Sequence, residues 1–247
     1  MTNTSSVIKK VAIKGPIKAL IISMSSFLTM NSYKKECLLC YFWAMDDQTK
    51  IHLSPYEAGL VNNSEWILTK NTIIKKAKWL MEEVQQNIFD HTRLQSPVFP
   101  QEVITISPKI SKGENYKGLP WLMLDYPRYF DKENIFAIRI MFWWGNFFST
   151  TLHLSGHYKQ KYNDAIIHSY EDLHKNEFYI CINDEQWDHH FEKENYLPVR
   201  NFGAEDFADQ VLKKSFVKLS CKLSFSYWND AVRLLSESFT KITGWLS

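Results

Sequence analysis

KGLPWLMLDYPRYFDKENIFAIRIMFWWGNFFSTTLHLSGH, residues 117–157, is the stretch whose reading decides the fold. Within it, FAIRIMFWW at 136–144 is short and dense in Ile, Phe and Trp, the composition of a strand. Residues 147–155, FFSTTLHLS, have the same character. Gly145-Asn146 lies between the two runs. Gly reaches positive φ without steric cost and Asn tolerates it, so the pair predicts a two-residue hairpin loop. On that turn Trp144 opposes Phe147, Ile140 opposes Thr151, Arg139 opposes Leu152 and Ile138 opposes His153. Opposed residues share a face. Arg139 and His153 therefore fall on opposite faces, and both faces are largely apolar, which implies cover on each side.

Upstream, WLMLDY at 121–126 reads as a third strand, with Pro127 expected to end it because proline cannot donate to a ladder. The result is an antiparallel meander closed by Ser155-Gly156. Downstream, EFYICIN at 177–183 is a further strand. FVKLSCKLSF at 216–225 alternates, with Val217, Leu219, Cys221 and Leu223 inward and Lys218, Ser220 and Lys222 outward, as an edge strand or one with a wet face does.

The helices bracket this sheet. Ser54-Pro55 with Glu57 is a helix start, giving 55–61. Ile73, Ala77, Leu80, Met81, Val84 and Ile88 repeat at helical spacing over 72–90, with Asn71 as the cap. Further helices are expected at 163–175, 204–213 and 227–244, the last capped by Ser226. Residues 91–118 read as a long polar connection, in which 103–106 could add a short strand. The fold class is α+β, with residues 31–247 as one domain preceded by a tail or loosely packed segment at 1–30.

Composition bounds the function. The chain has 247 residues, a formal charge of +2, 45% hydrophobic residues and 15% aromatics. Near-neutral charge with scattered lysines argues against nucleic acid as a partner. Four cysteines in a chain of this length do not suggest a disulfide framework, so a cytoplasmic setting is expected. A basic start followed by ALIISMSSFLTM at 19–30 resembles an export signal near residues 9–30, but no small-residue cleavage site follows. The run is also too short to span a bilayer. Cys37-Leu-Leu-Cys40 has redox or half-zinc spacing, yet no second pair completes a zinc site, and two buried thiols are expected there.

No phosphate loop, nucleophile elbow or dinucleotide turn is present, and no cofactor is expected. The chemistry-bearing residues are Asp125, Arg128, Arg139, His153 and His157, all on the meander or at its ends. A carboxylate, guanidinium groups and imidazoles among aromatics are suited to an anionic ligand or to acid–base work. The contact expected is Asp125 with Arg139, because a buried guanidinium requires a partner. His153 and His157 lack a third ligand defined by spacing, so no metal site is assigned. Trp121, Trp143 and Trp144 are candidates to line a ligand pocket with Arg128 and His157. Two functions follow. One is a non-catalytic domain binding a small molecule or a protein through an aromatic-lined sheet. The other is a small hydrolase or transferase acting on an anionic substrate through Asp125, Arg139 and His153. Convergence of these three on an open pocket would favour the enzyme, and a sealed, ion-paired arrangement would favour binding.

Overall fold

The computed structural model describes residues 51–94 and 98–246. The Cys37–Cys40 pair and the apolar run at 19–30 lie outside them. The chain divides into two compact units, Met1–Ser64 and Glu65–Ser247. In the first, helix α1 (Pro55–Val61) begins as the sequence requires. The Ser54 hydroxyl accepts from the Glu57 N–H, and the Glu57 carboxylate accepts from the Ser54 N–H at 2.7 Å. This capping box satisfies two amides that the helix start leaves without partners.

Helix α2 (Ser64–Leu94) is longer than the expected 72–90. No Gly or Pro interrupts residues 64–71, so Asn71 lies inside the helix and does not cap it. Of the positions picked out by the periodicity, Ala77, Leu80, Met81, Val84 and Ile88 are buried and Ile73 is half-buried; Thr92, one turn further on, is buried as well. After it, residues 101–105 form a short helix, α3 (Gln101–Thr105), where a strand over 103–106 was expected. The strand in this region is β1 (Lys109–Tyr116), whose sequence KISKGENY carries almost no apolar signal because it is an edge strand.

Strand β2 (Leu119–Phe130) does not stop at Pro127. The Tyr126–Pro127 peptide is cis, and the pairing register shifts between Asp125 and Arg128. Proline is tolerated here because an irregularity in the ladder needs no amide from it. Strands β3 (Ile135–Trp143) and β4 (Phe147–Ser155) follow. Their loop has three residues, Trp144-Gly145-Asn146, with Gly145 at φ +73° and the Asn146 N–H on the Trp143 carbonyl at 3.0 Å. Trp143 therefore pairs with Phe147, Arg139 with Thr151 and Ala137 with His153. A shift of one residue in a hairpin moves every side chain of one strand to the other face. The three-residue loop therefore places Arg139 and His153 on the same face, not on opposite faces.

Where one helix over 163–175 was expected, helix α4 (Gly156–His168) starts directly at the end of β4 and α5 (Tyr170–Lys175) follows it after a break at Ser169. Strands β5 (Tyr179–Cys181) and β6 (Tyr196–Pro198), helix α6 (Ala204–Lys213), strand β7 (Phe216–Leu223), a 3-10 turn (Phe225–Asp230) and helix α7 (Ala231–Gly244) complete the described chain. Ser224, not Ser226, caps that turn. The α+β sheet is antiparallel throughout, in the order β1-β2-β3-β4-β7-β5-β6. Strand β7 is thus internal, flanked by β4 and β5 rather than at an edge.

The sheet has two different faces. Leu122, Leu124, Phe136, Ile138, Leu152 and Leu219 point to one side and form a single apolar core with α2, α4, α6 and α7. The opposite face is polar at its centre and is covered by residues 182–195, called the strap below. No described helix is long and apolar enough to cross a membrane.

Candidate functional site

The strap-covered face carries a row of polar side chains across four strands. Asp125 pairs with Arg139, Arg139 with Thr151 and Thr151 with Ser220. Arg139 Nε donates to Asp125 Oδ1 at 2.7 Å, and the two side chains are only 12% and 9% exposed. This is the contact expected from the sequence. The guanidinium carbon lies 5.5 Å from the Phe130 ring and 5.6 Å from the Trp187 ring. Thr151 and Ser220 share a hydroxyl–hydroxyl bond of 2.6 Å.

One row along, His153 stands opposite Lys218, and both are 0% exposed. Lys218 Nζ donates to the Asp188 carbonyl and lies 5.3 Å from the Tyr196 ring centre. His153 Nε2 is 3.2 Å from Gln186 Oε1, with the Trp187 ring 5.5 Å away. Trp187 therefore covers both Arg139 and His153, while itself 46% exposed.

Tyr116, Lys214 and Asn195 fasten the strap. The Tyr116 hydroxyl oxygen accepts the N–H groups of His189 at 2.6 Å and His190 at 3.1 Å. Lys214 Nζ donates to the Ile182 and Asn183 carbonyls at 2.5 and 3.1 Å. Inside the strap, Asn195 Nδ2 donates to the His190 carbonyl at 2.5 Å. These bonds satisfy backbone groups that an irregular segment would otherwise bury unpaired.

Burial sets the electrostatics of this layer. It holds the His153 imidazole well below its usual range, with Lys218 and Arg139 adding repulsion against a further proton. It lowers the Lys218 ammonium to about 8. The His189 ring is pushed down in the same way. Burial pushes the Cys181 thiol up, which leaves no ready thiolate in this layer; Cys221 faces the helix-side core. Two buried polar atoms in the cluster, Arg139 Nη1 and His153 Nδ1, have no hydrogen-bond partner. Such atoms are uncommon in folded proteins and each calls for a reason.

The other candidates lie apart. Arg128, beyond the register shift, donates from Nε to the Ser107 carbonyl at 3.0 Å. His157 sits on the first turn of α4 and is exposed, with Nδ1 2.7 Å from Asn134 Oδ1. Trp121 and Trp143 oppose each other and pack with Met123, Met141 and Phe147 in a second apolar cluster, where Trp143 is buried. Trp144 lies in the turn and packs against the helix-side core instead. The three tryptophans thus do not line one pocket.

Lys218 was the residue that sequence reasoning missed. Its alternation with Ser220 and Lys222 reads as a solvated face, and only the internal position of β7 buries it. Trp187 and Gln186, between the strand expected at 177–183 and the helix expected at 204–213, gave no signal either. Comparison with protein-family models, with curated proteins and with solved structures finds no match for this chain.

Proposed function

We propose that the protein is a non-catalytic binding domain that takes a small anion, such as a carboxylate or phosphate, onto the polar face beneath the strap. The observation that carries this reading is the pair of buried atoms without partners, Arg139 Nη1 and His153 Nδ1, beside the buried Lys218. The described contacts give this layer one carboxylate–guanidinium pair, Asp125 with Arg139, while Lys218 is met by a carbonyl oxygen. An anion would supply the acceptor that Arg139 Nη1 lacks, and charge-assisted bonds of this kind are the strong ones. Negative charge beside His153 favours its imidazolium, so binding takes up a proton and tightens as the pH falls. Entry requires Trp187 to move with the strap.

The enzyme reading has less support. Asp125, Arg139 and His153 do share a face, but the guanidinium is tied to the carboxylate, the histidine is sealed, and burial raises the pKa of the nearby Cys181 thiol.

The test is calorimetric titration of the intact protein with acetate, citrate and inorganic phosphate at two pH values, with tryptophan fluorescence as a second reading. At least one anion binds, with proton uptake, and the double variant Asp125→Leu/Arg139→Met loses that binding while remaining folded. No binding by any anion, or equal binding by the double variant, overturns the proposal.

A further inference from the structure

The strap carries a second cluster that the anion reading does not use. His190, Glu192 and Glu194 alternate along it, and one ligand atom from each lies within 4.8 Å of the others. His190 is 4% exposed, although both carboxylates are at the surface. Its Nδ1 is 3.2 Å from the Tyr116 hydroxyl, which orients the ring and turns Nε2 outward. Nε2 faces Glu192 Oε2 at 3.6 Å and Glu194 Oε1 at 3.7 Å, both beyond hydrogen-bond length. Lys117 Nζ is 3.5 Å from Glu192 Oε2, and Asp188 Oδ1 is 3.9 Å from His190 Nδ1.

We infer that His190, Glu192 and Glu194 form a binding site for a divalent cation of the zinc class, which ties together residues 190–194 at one end of the strap. The spacing supports this. Two ligands held about 2.0–2.1 Å from a tetrahedral ion stand about 3.3 Å apart, so the observed His–Glu separations need to close by only a few tenths of an ångström. One imidazole and two carboxylates suit zinc and leave a fourth position for water, whereas calcium takes six or more oxygens. Coordination uses the Nε2 lone pair, so binding puts the ring hydrogen on Nδ1; the Tyr116 oxygen already accepts two backbone N–H groups, and its O–H, the donor to Nδ1 in the free site, turns away when the ion binds. The cation displaces Lys117 from Glu192. Since Tyr116 also holds the backbone at His189 and His190, a bound ion would rigidify the strap from its outer side.

Chelator-treated protein is titrated with Zn²⁺ by calorimetry and its thermal unfolding is followed with and without the ion, with no anionic ligand present, so the result is independent of the anion proposal. One Zn²⁺ per chain binds at this site and raises Tm. Glu194→Gln, an exposed change, weakens that binding at least tenfold and abolishes the Tm rise, while its Tm in chelator matches the parent protein. His190→Gln, with its fold checked by circular dichroism, likewise loses the binding and shows no Tm rise with Zn²⁺ relative to its own Tm in chelator. Absence of stoichiometric binding by the parent protein overturns the site. So does a Glu194→Gln variant that binds Zn²⁺ with unchanged stoichiometry and affinity, or calcium binding as tightly as zinc.

Discussion

Arg139 is held on one side by Asp125 and on the other by two aromatic rings, and leaves Nη1 without a partner. Removing one member of such a pair strands the other charge in a dry layer. Arg139→Met is expected to cost about 3–5 kcal/mol in urea unfolding, and Asp125→Leu/Arg139→Met to recover much of that. A double variant no more stable than the single would mean that the pair is not the cause. His153 adds a pH dependence. It is faced by Lys218 and Gln186, with Arg139 and His189 contributing to the same field. Its folded pKa lies well below the ordinary imidazole value of 6.5, so between the two the unfolded chain binds more protons. Stability from this residue is present above pH 6.5 and is lost as the pH falls, and His153→Gln should flatten that part of the urea-midpoint profile. Lys218 acts at the other end. With a folded pKa of about 8 against 10.5, the unfolded chain again holds more protons, so stability rises from pH 8 to 10.5 and Lys218→Met should remove the rise.

The β3–β4 hairpin shows how much one turn residue decides. Composition located both strands to within a residue, and Gly145 does sit in the loop at positive φ. Whether the loop holds two residues or three is not written in Gly-Asn alone, because the choice rests on which faces the core and the strap each bury. The β4–α4 junction is a second such point. Gly156 has φ +58°, and a Cβ there would lie 2.2 Å from Asn134 Oδ1 and 2.6 Å from the Glu133 carbonyl oxygen. Gly156→Ala is expected to destabilise by at least about 1–2 kcal/mol from backbone conformation alone, as read by chemical unfolding. The strap has its own signature. Since burial is the main reason that the His153 pKa is low, Trp187→Ala should raise it toward the free value, followed by the imidazole proton shifts in NMR. An unchanged titration would show that Trp187 does not control access to His153.

Across the whole chain, the helix-side core draws on residues from Ala77 to Leu246. Residues 1–30 lie outside the described residues, and their polar start and low aromatic content motivate the expectation that their deletion leaves one cooperative thermal transition for the Glu65–Ser247 unit in calorimetry. Loss of cooperativity would show that they complete it. The path of the chain shows that the site joins segments distant in sequence. Strand β7 enters between β4 and β5 after the strap has been laid down, and it brings Lys218 beneath a segment more than twenty residues earlier in the sequence.

The sequence by itself determined the elements with strong local signals: the periodic apolar face of α2, the capping box of α1, the apolar strands β3 and β4, and the Asp125–Arg139 pair that burial of a guanidinium demands. Their cause lies in neighbours along the chain or across one turn. Three features depended on the tertiary structure: the hairpin register, the internal place of β7, and the strap with Trp187, His190 and the two glutamates. The register follows from which side chains the layers on each face can bury. Lys218 is buried because strands distant in sequence pair on both sides of it, and a Lys-Ser alternation looks the same whether the face it lines is open to water or closed.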